Sequence, residues 1–126
     1  MSKKRKPRRP ARRAKARTIQ PKQGRMNRLE AEYARLLDAR IERGQVAGYL
    51  FDEINLFLAP NTWYRPDFFV VLADGSCEFH EVKGHWREDA RVKFKVAAER
   101  HAWAQFLAVT QRPEKAGGGW REERLQ

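Results

Sequence analysis

From Met26 to about Arg43 the run MNRLEAEYARLLDARIER places Met26, Leu29, Tyr33, Leu36, Leu37 and Ile41 at helical spacing, and Gly44 is a suitable stop. Beyond it the period shortens. Val46 to Leu58 alternates well enough for one strand, bent around Asp52-Glu53. Tyr64 to Leu72 and Ser76 to Lys83 read as two further strands joined through Ala73-Asp74-Gly75, a hairpin signal. Glu88 to His101 returns to helical spacing, with acids in its first turn and Arg100-His101 in its last, as the helix dipole favours. Phe106 to Thr110 is a fourth strand, and Trp120 to Leu125 adds an edge strand after three glycines. The predicted order is helix, three strands, helix, strand: an α/β fold with a mixed central sheet.

Residues 1–25 stand apart. They contain 12 Lys and Arg and no acid, within a chain of 126 residues whose formal net charge is +11. With Pro7, Pro10 and Pro21, and only Met1 and Ile19 as large apolar residues, this arm has too little to bury and is expected to be disordered on its own. Its Lys3, Lys4, Arg5, Lys6, Arg8, Arg9, Arg12, Arg13, Lys15 and Arg17 are suited to neutralising phosphates and releasing counterions. A nuclear-import-like cluster, an organelle transit peptide and a solubilising tail are the competing readings of the same composition. Residues 26–126 form the expected folded domain. No apolar run approaches the ~20 residues of a membrane span, and one cysteine allows neither an intramolecular disulfide nor a four-cysteine zinc site.

Two features break the pattern of buried apolar and exposed polar positions. Glu30 falls on the apolar face of the first helix, among Met26, Tyr33, Ala34, Leu37 and Ile41, where a carboxylate is costly unless paired or bound to a metal. It either serves a site or sits at the helix start or against a neighbouring arginine. The hairpin supplies the second feature. A three-residue loop with Gly75 in the left-handed position pairs Leu72 with Ser76 and sets Asp67 opposite Glu81. Asp67, Glu81 and Lys83 then share one face at the far end of the hairpin. A two-residue Asp-Gly turn would instead separate the two acids onto opposite faces.

Facing carboxylates repel unless a proton, a cation or solvent intervenes. Oxygen ligands beside an open position suit Mg²⁺, or Mn²⁺ in its place, and a lysine on the same side can orient water or stabilise charge at phosphorus. Pro66-Asp67 followed by Glu81-Val82-Lys83, with a helical Glu30 ahead, resembles the PD-(D/E)XK nuclease signature. More narrowly, NRLEAEYARLLDAR, YRPDFFVVLADG and FHEVKGHWREDARVKFKVAAE resemble a small phage and prophage endonuclease family related in fold to Holliday junction resolvases. The resemblance covers roughly residues 26–112. It implies metal ligation by Asp67, Glu81 and the Val82 carbonyl, a catalytic Lys83, and Glu30 completing or orienting the metal shell. It also implies a DNA-hydrolysing enzyme in the cytoplasm of a bacterial host cell, near the nucleoid.

Arg87, Arg91 and Lys95 recur every four residues and read either as a DNA-tracking stripe or as a solvated helix face. Cys77 and His80 fall on opposite sheet faces and, with His85, make a poor zinc set. The four tryptophans suit core or lid packing as well as stacking on bases. A homodimer through Tyr49-Leu50-Phe51 or the second helix is compatible with the pattern. Two rival functions share the arm: a non-catalytic nucleic-acid-binding protein on a nuclease-like fold, and a ribosome- or capsid-associated structural protein. Deleting residues 2–25 is expected to weaken DNA binding and flatten its dependence on salt, measured as Kd across a salt series; an unchanged slope would place the phosphate contacts in the folded domain.

Overall fold

The computed structural model describes residues 25–125, so the basic arm residues Lys3 to Arg17 lie outside the described part. Helix α1, Arg28–Glu42, begins at a capping box. The Asn27 side chain accepts the Glu30 N–H at 2.7 Å, while Glu30 Oε1 accepts the Asn27 N–H at 2.9 Å. Gly44, at φ 77°, turns the chain out of the helix.

Five strands form one mixed sheet. They are β1 (Val46–Phe51), β4 (Phe68–Leu72), β5 (Cys77–Lys83), β6 (Gln105–Gln111) and β7 (Trp120–Arg124), side by side in that order. Only β5 and β6 run parallel, joined across helix α2 (Glu88–Arg100); the other neighbours are antiparallel. Strand alternation divides the core. Tyr33, Ala34 and Leu37 of α1 pack with Val70, Val82, Leu107 and Val109 on one face. Phe94, Ala97 and Ala98 of α2 pack with Phe79, Phe106 and Ala108 on the other. β5 is central and covered on both faces, so five consecutive residues, Glu78 to Val82, are buried.

Two strands expected to be continuous are broken, and both breaks have local causes. Val46 to Leu58 divides at Asp52, whose left-handed backbone (φ 58°) ends β1. Leu56–Ala59 (β2) leaves the sheet and pairs with Thr62–Tyr64 (β3) in a separate hairpin, turned at Pro60 and Asn61 (φ 61°). Tyr64 to Leu72 divides at Arg65-Pro66, because proline carries no N–H for a ladder and holds the residue before it extended. The expected edge strand after the glycines is β7, and no helix among the described residues is long and apolar enough to cross a membrane.

A polar chain crosses the α1 side of this core. The Tyr33 hydroxyl and His80 Nδ1 lie 2.7 Å apart, and His80 Nε2 lies 2.8 Å from Glu78 Oε1, with His80 fully buried. The histidine contact and the neighbouring Arg124 and Arg40 charges hold the Glu78 carboxyl below its ordinary range. Trp120 closes over Tyr33, ring centroids 5.1 Å apart. Removing one member leaves a buried partner unsatisfied. Tyr33→Phe is therefore expected to cost about 1–3 kcal/mol in urea unfolding, and Tyr49→Phe, which loses only an exposed bond to Asp38, clearly less; equal losses would show that the buried chain adds nothing.

Candidate active site

The β4–β5 hairpin is closed by the three-residue loop. Leu72 N–H donates to the Ser76 carbonyl at 2.8 Å, Gly75 N–H donates to the Leu72 carbonyl at 2.9 Å, and Gly75 sits at φ 93°. Asp74 Oδ1 accepts both the backbone N–H and the hydroxyl of Ser76, at 2.9 and 2.7 Å, which stiffens the turn. Register then runs Val71–Cys77, Val70–Glu78, Phe69–Phe79 and Phe68–His80. The next step sets Asp67 against Glu81, as the three-residue loop requires.

The two carboxylates are buried and bound to each other's backbone surroundings. Asp67 Oδ2 accepts the Val82 N–H at 2.9 Å, and Glu81 Oε1 accepts the Asp67 N–H at 3.1 Å. Lys83 Nζ lies 3.4 Å from Glu81 Oε2. The Tyr64 hydroxyl also bonds to Glu81, and burial beside that acid keeps the phenol protonated far above neutral pH. From the opposite edge, Asp52 N–H donates to the Asp67 carbonyl at 2.8 Å. Arg65 in turn holds Asp52, Nη1 to Oδ2 3.6 Å, and donates to Asn55 Oδ1 at 3.0 Å.

Such a pair cannot hold two full charges cheaply. Burial first and the Glu81 charge second push the Asp67 carboxyl up to about 8, against the opposing pull of the Val82 N–H and of Lys83. Glu81 is raised as well, chiefly by burial, while Tyr64, Lys83 and the Asp67 N–H draw it back. Both shifts favour keeping a proton on the pair near neutral pH when no cation is bound.

Glu30 stands near but apart. It is buried, its Oε1 closes the capping box, and its charge adds a smaller upward push on Asp67. The start of α1 lies against the end of β5, since a Cβ on Gly84 would meet Leu29 Cδ2 at 3.9 Å. Among the described residues no three His, Cys, Asp or Glu side chains are grouped closely enough to hold a metal as they stand. Its place at the helix start is one of the readings open from the sequence.

The basic stripe is only partly available. Arg87 and Lys95 are exposed, whereas Arg91 is tied to Glu123 at 3.0 Å and lies over the Trp86 ring. His85 is an exposed loop residue, and Cys77 packs on the α2 side of the sheet while His80 faces α1, which keeps these three from forming a zinc site. Tyr64, Asp52 and Arg65 are supports that the sequence reading did not single out. The expected strands ran through Asp52-Glu53 and through Pro66, so neither the chain breaks that place these residues nor their contacts were marked.

A carboxyl whose folded pKa lies above its unfolded value favours folding while protonated, so the metal-free protein loses stability as pH rises from about 4 to about 8. Asp67→Asn keeps an acceptor for the Val82 N–H and removes the charge. In EDTA at pH 8 its melting temperature is expected to exceed the wild type's by about 4 °C or more, with the gap closing at pH 5. A wild-type melting temperature equal to or above the variant's at pH 8 would contradict the strained pair. Set against models of protein families, curated proteins and solved structures, the chain shows no match.

Proposed function

We propose that the protein is a Mg²⁺-dependent endodeoxyribonuclease on a PD-(D/E)XK-type core, with DNA, duplex or branched, as its partner in the bacterial cytoplasm. The observation that carries this reading is the buried Asp67–Glu81 pair with Lys83 against it. A packed fold gains nothing from opposing two desolvated acids, whereas a cation placed between them relieves both burial and repulsion.

The donor set fits such an ion. Asp67 and Glu81 supply hard oxygens, each oriented by a backbone N–H. In a strand the N–H and carbonyl of one residue point toward the same neighbour. Because the Val82 N–H goes to Asp67, the Val82 carbonyl faces that side too, opposite Pro66, which has no N–H to give it. Two carboxylates and a carbonyl, without sulfur or imidazole, select Mg²⁺ or Mn²⁺. Bound there, the ion supplies positive charge to a phosphate oxygen and to water beside it.

The chain's own groups do the rest. Lys83 is over a third exposed at its side chain and leans on Glu81, so its ammonium can meet a phosphate entering from solvent and offset charge growing at phosphorus. Tyr64 and the Asp67 N–H hold Glu81 in one rotamer; the Val82 and Asp52 N–H groups hold Asp67 from both sides. Exposed Arg87 and Lys95 offer phosphate contacts on the helix that leaves this end of the sheet. A homodimer through the edge strand β1, where Leu50 is exposed, is compatible with substrates of two-fold symmetry.

The test is cleavage of labelled four-way junction, flap, nicked, linear duplex and single-stranded DNA in Mg²⁺, Mn²⁺ or EDTA. Cutting is expected with either metal and not in EDTA, and to fall at least about 100-fold in Lys83→Ala and in Asp67→Asn. Asp67→Asn should bind DNA as well as or better than the wild type, having lost a negative charge near phosphate. Salt-sensitive binding with no cutting on any substrate would replace this reading with a non-catalytic DNA-binding protein.

A further inference from the structure

The β2–β3 hairpin has a buried face and an open one. Leu56, Leu58 and Tyr64 pack with α2 in the core. The other face sets Phe57 directly opposite Trp63, ring centroids 5.2 Å apart and edge to face. Trp63 keeps 51% of its surface in water, and the Arg100 guanidinium lies 5.3 Å above the Phe57 ring. His101 Nε2 ties the hairpin to the end of α2 through the Phe57 carbonyl at 2.8 Å. Beyond His101, bonded to it at 3.2 Å, stands Trp103, which is 61% exposed.

The hairpin links these groups to the candidate site through Tyr64. Tyr64, next to Trp63, packs on Phe94 of α2 and reaches Glu81 with its hydroxyl. Phe57 lies at the level of Arg100 and His101, seven residues along α2 from the Phe94 that Tyr64 touches. At ~1.5 Å per helical residue that sets the strip about 10 Å from the level of Tyr64, a gap of roughly three nucleotides at ~3.4 Å each. Exposed indoles interleaved with a guanidinium make poor protein surface and good stacking surface for bases, whose backbone carries the charge Arg100 complements. A closed duplex hides its base faces, so only unpaired nucleotides can use such a strip.

We propose that Phe57, Trp63, Arg100 and Trp103 form a stacking strip for unpaired nucleotides of a DNA strand that leads to the candidate site. The substrate class is then DNA with a single-stranded segment beside the bond to be cut, as at a flap, a tail or an opened branch. The assignment of the strand's destination rests on the nuclease reading; the binding of unpaired bases does not.

The experiment measures binding by the full chain in EDTA, so that cutting cannot interfere. The probes are a blunt DNA duplex and the same duplex with a six-nucleotide tail carrying 2-aminopurine. Trp63→Ala is expected to weaken tailed DNA about tenfold or more while blunt duplex changes less than about twofold, and Trp63→Phe, which keeps a ring, to restore most of the loss. Quenching of 2-aminopurine by the wild type should disappear in Trp63→Ala. Equal effects on both probes, or no quenching by the wild type, would overturn the strip. Cleavage assays in Mg²⁺ then separate the two readings. Cutting with no Trp63-dependent tail binding removes the strip and leaves the nuclease, whereas Trp63-dependent tail binding with no cutting on any substrate leaves the strip and removes the nuclease.

Discussion

Two carboxylates held face to face out of water need a proton or a cation between them, and much of the structure around Asp67 and Glu81 answers that requirement. The opposition itself comes from a loop of three residues. Gly75 accepts the left-handed backbone that closes a three-residue turn, and every pair down the hairpin follows from it. One residue fewer in that turn would move Glu81 to the α1 face, among Tyr33 and Leu37. The chemistry proposed for one end of the sheet is thus set by the geometry of a turn at the other.

The irregular backbone near the acids serves the same end. Pro66 stops the ladder where Asp67 must turn its side chain, and the Val82 N–H goes to Asp67 Oδ2 rather than to a ladder carbonyl. Asp52 adopts a costly left-handed conformation, yet its N–H holds the Asp67 carbonyl, and Arg65 holds Asp52 in turn. Strain and missing ladder bonds gather at this end of the sheet. The other end holds the tight Ala73-Asp74-Gly75 turn and a bulge in β1 between Val46 and Gly48.

What could be read from the chain follows from how local each cause is. The helices, the β4–β5 hairpin and its register rest on spacing and on one glycine, so they were legible within a dozen residues. The acid pair was legible because register is arithmetic once the loop is known. The β2–β3 hairpin was missed because alternation continues through Asp52 and again through Pro66, so the local breaks at both were read as strand; the bond from Asp52 to Asp67, fifteen residues on, lies outside any short window. Tyr64 on Glu81, and Tyr33 on His80 and Glu78, join positions distant in sequence, which no window of the chain contains. Glu30 stood out on a helical face, but Asn27 at the cap gives it a structural task that periodicity alone does not reveal.

The two faces of the sheet divide the remaining work. On the α1 side, His80 is locked between Tyr33 and Glu78, and Trp120 covers the pair, so the strand carrying Glu81 is stiffened from behind. On the α2 side the same strand presents Phe79 to the core and Glu81 and Lys83 to the candidate site, while the displaced hairpin extends that surface along the helix. Breaking the first long strand at Asp52 therefore has two consequences at once. It supplies the N–H that fixes Asp67, and it frees four residues before Pro60-Asn61 and three after to leave the sheet and carry aromatic side chains beside the acids. A continuous strand would have given a more regular sheet with neither.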